Sequence, residues 1–143
     1  MKPFSADERE KFLAEKHVAV LSVADPSGRR PPASAPIWYD YQPGGLIRVN
    51  TGADSRKFRL IEQAGAVTLV VQREELPYQY VVVEGTVVDT IIPSPRDARE
   101  EIAVRYLGPE AGPAFVDSLE EQDSVLFHIR PDCWITADFS GGL

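Results

Sequence analysis

The chain is poor in the residues that most often announce chemistry. It has one cysteine, Cys133, one methionine, at position 1, and two histidines, His17 and His128, in 143 residues. A single thiol excludes an internal disulfide framework and any cysteine-built metal site, and makes the reducing cytoplasm the simplest home. The histidines stand far apart with no carboxylate or cysteine at ligand spacing, so both read as structural or surface groups and no metal is expected. Long apolar runs are missing too. None approaches the roughly 20 residues a membrane helix requires, and the charged segment from Met1 to Lys16 does not resemble a signal peptide. Positive charge is scarce: 15 Lys and Arg against 22 Asp and Glu leave a formal net charge of −7. That balance argues against nucleic acid as a partner, because such binding rests mainly on phosphate neutralisation.

Catalytic motifs are scarce as well. There is no G-x-S-x-G elbow, no H-E-x-x-H helix and no phosphate-binding P-loop, so hydrolase, zincin and nucleoside-triphosphatase readings lose their usual support. The paired acids Glu74-Glu75, Glu100-Glu101 and Glu120-Glu121 fall in an expected turn, on a helix and at a helix end. Adjacent residues on a helix do not face each other, so these read as solvated charges rather than acid/base pairs. An enzyme built this way has to take its reactivity from a cofactor.

What is present is enough apolar material, 43% of the residues, for one domain over residues 1–143 with a real core. Ser5 and Glu8 form a capping-box pair for a short opening helix running to Lys16, with Phe12 and Leu13 on its buried side. His17 to Val23 reads as a strand, Asp25-Pro26-Ser27-Gly28 as a turn, and Ala33 to Tyr41 as a second strand. Pro36 cannot donate to a ladder, so it predicts an edge or a bulge, with Ile37, Trp38 and Tyr39 offering flat apolar surface beside it. Leu46 to Thr51 is a third strand and Ser55 to Gln63 a short helix. Ala66 to Gln72 reads as a strand covered on both faces, and Tyr78 to Ile92 as a long bent strand with Gly85 as its kink. The Val81-Val82-Val83 run, apolar toward both sides, predicts a second subunit against the outer face. Ser94 and Pro95 start a helix that Gly108-Pro109 stops near Leu107, Ala111 to Leu119 reads as one more short helix, and Ser124 to Ile129 and Trp134 to Ala137 as two closing strands broken at Pro131-Asp132. Strands joined by short turns with helices inserted between them predict an α+β fold, a small antiparallel barrel of six to seven strands with flanking helices.

One stretch concentrates what positive charge there is. From Arg48 to Ile61 the chain reads RVNTGADSRKFRLI, a strand passing through Thr51, Gly52 and Asp54 into a helix whose first turn carries Arg56, Lys57 and Arg59. Asp54 or Ser55 can cap that helix. Cations in a first turn oppose the helix dipole unless a negative ligand sits there, so the stretch reads as an anion grip, and Arg48, Arg29 and Arg30 add to it. A small polyanion suits the pattern better than a polymer.

The order HVAVLSVADPSGRRPPASAPIWY, LIRVNTGADSRKFRLI, AVTLVV, YQYVVVEGTVVD and a terminal strand near PDCWIT resembles the pyridoxamine 5′-phosphate oxidase-like split-barrel family over roughly residues 6 to 138. Within it the chain is similar to the branch that uses the deazaflavin coenzyme F-420. The resemblance implies a split β-barrel, a homodimer with cofactor grooves between subunits, and F-420 or flavin mononucleotide (FMN) as cofactor. It places Lys57 and Arg59 on phosphate, and Thr51, Gly52, Ser55 and Arg56 along the same loop. It sets Pro36, Ile37 and Trp38 beside the ring with Ser34 just upstream, and brings Tyr78, Gln79 and Trp134 toward the partner's cofactor. Leu60-Ile61 stands where relatives often carry asparagine-leucine, and Gln63-Ala64-Gly65-Ala66 replaces their aspartate-proline-arginine turn. The activity this implies is hydride transfer from reduced F-420 to an unsaturated or conjugated small molecule. An FMN-dependent oxidase or flavin reductase, and a non-catalytic binder of flavin, F-420 or haem, are the alternatives.

Overall fold

The computed structural model describes residues 1–119 and 123–142; the Glu120-Glu121 pair lies outside them. Ser5 caps α1 (Ala6–Ala14) with the reciprocal Glu8 contact that its sequence predicts, and Phe12 and Leu13 are its buried residues. Strands β1 (Ala19–Val23) and β2 (Ala33–Ile37) form the first hairpin, followed by β3 (Tyr39–Asp40), β4 (Ile47–Gly52), α2 (Arg56–Ala64), β5 (Ala66–Arg73), β6 (Gln79–Ile91), α3 (Arg96–Asp117) and β7 (Ser124–Asp138). All seven strands belong to one antiparallel sheet in the order β2-β1-β5-β6-β7-β4-β3.

The expected strand from Ala33 to Tyr41 is in fact two, and the break defines the architecture. β2 and β3 lie at opposite edges of the sheet, yet only Trp38 separates them in the chain. Residues two apart cannot be more than about 7 Å from each other, so the sheet has to curl until its two edges meet. They meet without a ladder between them, which makes this a split β-barrel of α+β class. Pro36 sits on the edge strand β2, where its missing N–H leaves no ladder bond unmade.

The interior follows the period of two. Leu21, Leu69, Val83, Val49 and Phe127 point inward and are almost wholly buried, and Phe12 and Leu13 of α1 and Leu60 and Ile61 of α2 join the same core. Leu60-Ile61 thus anchors α2 to the barrel, and Gly65, at φ 67°, ends that helix in the left-handed cap conformation. β5 was expected to be covered on both faces, but it alternates: Val67, Leu69 and Val71 are buried while Val70 is half-buried. The strand covered on both faces is the start of β7, because Leu126 points outward into a second core with Ala98 and Ile102 of α3.

Two further differences concern β7 and α3. The chain does not break at Pro131-Asp132. β7 runs straight through, absorbing one extra residue in a bulge opposite Glu84 and Gly85, and Gly85 is where Ile129 and Arg130 press closest. α3 is interrupted at Gly108, with φ 93°, as the Gly-Pro pair predicts. A straight helix of that length would span about 33 Å. Instead Arg96 in its first turn pairs with Asp117 at its end, and Gly112 lies against the Val104 backbone, so the two halves form an antiparallel helical hairpin. Ser94, expected as its cap, is fully buried with its hydroxyl unpartnered among the described residues, and Pro95 holds the N-cap position with no side-chain bond.

Candidate functional site

A cavity of about 620 Å³ lies on the outside of the barrel, beside the seam. Pro36, Ile37 and Trp38 form one wall, and the end of β4, Asn50 to Gly52, forms the floor with Ser124 of β7. Lys57 enters from the first turn of α2. The helical hairpin closes the cavity from above with Arg99, Ile102 and Ala103 from its first half and Phe115, Val116 and Leu119 around its second. The size suits a drug-sized or cofactor-sized ligand, and the walls are mainly apolar with a few polar groups, as such sites usually are.

Lys57 is the cation best placed to act here. It is half-buried and has no ion pair among the described residues, and burial alone pulls its pKa below the ordinary lysine value. Arg99 is 5% exposed on the facing helix, with its Nε donating to the Ser94 carbonyl at 3.2 Å. Asn50 contributes a buried Oδ1 that accepts no hydrogen bond among the described residues. Asp123 is the single carboxylate on the described lining. Trp38 serves as wall and packing together, stacked on Tyr106 with ring centroids 4.7 Å apart at an interplanar angle of 8°.

The other cations of the basic stretch are engaged elsewhere. Arg56 reaches back to Asp25 at 2.8 Å, tying α2 to the β1–β2 turn, and with Ser27 it holds that carboxyl below its usual range. Arg59 donates to the Asp54 carbonyl at 3.1 Å. Arg48 lies in a second, polar pocket, held by Asp40 at 2.5 Å and Glu101 at 2.6 Å, which push its pKa up. Helical geometry accounts for the split: Arg56 and Arg59 share a face, and Lys57 stands about 100° away from Arg56. Ser55 caps α2, accepting from the Phe58 N–H at 3.0 Å and donating to the Gly52 carbonyl at 2.8 Å, so its hydroxyl serves the loop. Gly52 is in extended strand, where a Cβ would make only ordinary contacts; the residue leaves the floor open rather than answering a backbone demand.

Ser55, Arg56 and Arg59 are off the cavity lining, and so are four further expected residues. Ser34 bonds Ser22 across the hairpin at 2.9 Å. Tyr78 stacks on Phe139 and donates to Gln72, and Gln79 donates to Asp138 at 3.0 Å. Trp134 packs on the barrel core beneath Arg9, whose guanidinium lies 4.8 Å from its ring. Arg29 and Arg30 are exposed in the β1–β2 loop. Arg99 and Asn50 are among the lining residues that sequence reasoning missed. Arg99 carried a signal: Ala98, Ile102 and Ala103 surround it at helical spacing, setting an arginine in an apolar stripe.

No family model and no curated protein matches the chain. Among solved structures it is similar to an F-420 reductase, with 27% identity, a TM-score of 0.74, and coverage of 88% of this chain and 94% of that one. It also matches a conserved hypothetical protein of Mycobacterium tuberculosis, Rv2991, at 20% identity and TM-score 0.75, covering 94% of this chain and 85% of the other. A protein of Listeria innocua assigned to the pyridoxamine 5′-phosphate oxidases matches at 12% identity and TM-score 0.67, over 92% and 96% of the two chains. The last two speak for the fold alone. By fold, the chain is a pyridoxamine 5′-phosphate oxidase-like split barrel, and its structural neighbours include an F-420 reductase.

Proposed function

We propose that this cavity holds a flavin-type cofactor, coenzyme F-420 in preference to FMN, and that the protein is an oxidoreductase acting on an unsaturated or conjugated small molecule. The observation that carries the reading is Lys57, a half-buried cation without an ion pair among the described residues, at a helix start beside an apolar wall. Such a lysine suits a phosphate. The Oδ1 of Asn50, without a hydrogen bond among the described residues, suits the same cofactor, because a ribityl hydroxyl supplies the donor it lacks. When bound, reduced deazaflavin supplies the hydride. The chain's own part is then to bind the phosphate at Lys57, to set the ring against Pro36, Ile37 and Trp38, and to keep water out with the helical hairpin. The similarity to an F-420 reductase, over most of both chains, favours the deazaflavin.

The proposal includes a homodimer. On the outer face, Pro36, Val20, Val70, Val82 and Ile135 follow one another across five paired strands, an unbroken apolar row. Val20 is 40% exposed and Ile135 47% exposed. Pro36 heads the row and also lines the cavity, so a second copy seated on the row reaches the cavity's open edge.

The test is a side-by-side titration with FMN and F-420 at low and moderate salt. Preference for F-420 that weakens with salt supports the reading. A preference for FMN moves it to flavin chemistry, and binding of neither overturns it.

A further inference from the structure

Resting on the cofactor reading above, we infer that the helical hairpin builds a subsite for an uncharged, apolar part of the substrate, and that Ala103 sets the depth of that subsite. The polar and apolar linings of the cavity come from different elements. Asn50 and Thr51 of β4, Lys57 of α2, and Asp123 and Ser124 at the entry to β7 lie together, because β4 pairs with β7 there and runs on into α2. The hairpin and the two residues after it bring Ile102, Ala103, Phe115, Val116 and Leu119. Among the described residues their polar side chains on the lining are Arg99 and Ser118, and both are taken. Arg99 donates from Nε to the Ser94 carbonyl and is further engaged within the protein, and Ser118 donates from Oγ to the Phe115 carbonyl at 2.6 Å. A charged group placed at this end would shed its water for no free partner, whereas a hydrocarbon gains by the same burial.

Exposure orders the apolar lining by depth. Val18 and Leu119 are 52% and 47% exposed, at the mouth, while Ala103 and Val116, one from each half of the hairpin, are 3% and 2% exposed, at the closed end. The closed end is rigid. Gly112 lies against the Val104 backbone, one residue on from Ala103 and one helical turn before Val116, so the two halves hold each other in place.

The height of the roof is fixed as well. Ile102, Ala103 and Tyr106 follow at helical spacing and share a face, and Tyr106 stacks on Trp38. From the other half Phe115 packs directly on the same indole, with ring centroids 5.6 Å apart. Both halves of the hairpin thus rest on the Trp38 wall, and neither recedes to admit a larger ligand. Bulk added at Ala103, the smallest side chain of this apolar lining, subtracts from the space a ligand can fill.

The probes are the uncharged conjugated ketone 2-acetylnaphthalene, its smaller analogue acetophenone, and the anion 2-naphthoate. Each is titrated calorimetrically against the full-length protein, both saturated with FMN or F-420 and free of cofactor. The loaded wild type is expected to bind the naphthyl ketone at least tenfold more tightly than 2-naphthoate, and more tightly than acetophenone. Ala103→Leu, which replaces a methyl by an isobutyl group, should lower the naphthyl-to-phenyl affinity ratio at least fivefold. Val116→Ala should raise that ratio, and both variants should keep FMN and F-420 affinity within twofold of wild type. A folded variant that leaves the ratio unmoved, or naphthoate that binds the loaded protein as tightly as the ketone, overturns the assignment. A tenfold loss of cofactor affinity in Ala103→Leu overturns it too, since the closed end would then belong to the cofactor. If Ala103→Leu does not fold, Val116→Ala decides alone, and an unchanged ratio refutes the subsite. Should neither cofactor bind while the ratio tracks both positions in the cofactor-free protein, the cofactor reading falls and the apolar subsite stands.

Discussion

Lys57→Met separates a binding lysine from a structural one, because the two predict opposite signs. The Lys57 ammonium has no ion pair among the described residues, and its pKa is lowered by burial alone, so the fold disfavours its charge. The variant, freed of the desolvation, should melt at pH 7 at the same temperature or higher. As pH rises toward the ordinary value of 10.5 the unfolded chain binds more protons than the folded one, so wild-type stability rises there and the variant lacks that rise. The ligand reverses the comparison. FMN or F-420 at 100 times its Kd stabilises by about 2.7 kcal/mol, which for a domain of this size is roughly 8 °C. A lost charge-assisted contact weakens binding about tenfold, so the same concentration stabilises the variant by only about 1.4 kcal/mol, or roughly 4 °C. Differential scanning calorimetry at fixed protein concentration, with and without cofactor, measures both quantities. An apo variant that melts several degrees lower, with an unchanged cofactor increment, refutes the reasoning.

The apolar row predicts that Ile135→Lys sediments as a monomer at micromolar concentration where the wild type is a dimer, with the same circular dichroism; identical masses for the two reject the row as an interface. Burial lowers the pKa of His17, which donates from Nε2 to the Phe12 carbonyl at 3.0 Å and stacks on that ring, so its neutral form belongs to the fold. The unfolded chain takes the proton first, and stability should fall as pH drops below about 6.5 more steeply than in His17→Gln, measured by urea unfolding at pH 7.5 and 5. Parallel losses in the two proteins exclude this role. A Cβ at Gly85 would stand 2.5 Å from Ile129 Cγ2 and 2.8 Å from the Arg130 carbonyl, so Gly85→Ala should cost about 1 to 3 kcal/mol in the same assay, and a change below 0.3 kcal/mol, roughly the noise of additive sites, would show the bulge yields freely.

Much of the fold was legible wherever a local rule had no competitor. The Ser5–Glu8 box, the Ser55 cap and the Gly108 stop are set by groups within four residues of each other, and all three hold. Contacts between distant segments were not legible. Trp38 splits a strand because the sheet closes there, and nothing local to Pro36 or Tyr39 states that closure. Pro131 was read as a breaker, yet across from it Gly85 gives the room in which a bulge keeps the strand whole. The charges show the same limit. Four basic residues close in sequence suggested one grip, but Asp25, Asp40 and Glu101, each from another element, claim Arg56 and Arg48. Lys57 alone of that group lines the cavity. Asn50 became visible only as an orphan acceptor, a property of its surroundings and not of its neighbours in the chain.

The helical hairpin leaves and rejoins the sheet at nearly one point. β6 and β7 are paired up to Ile91 and Leu126, and the Ser94 N–H donates to the Ser124 carbonyl at 3.1 Å. The hairpin is therefore an interchangeable part. A chain with a tight turn between the same two strands would keep every rung of the barrel, and a chain with a different hairpin would present a new ceiling over the same lysine. Under the proposed function, the hairpin that roofs the cavity and the lysine that would hold the cofactor lie on separate pieces of the polypeptide, so the roof can be rebuilt at the bench while the lysine stays in place.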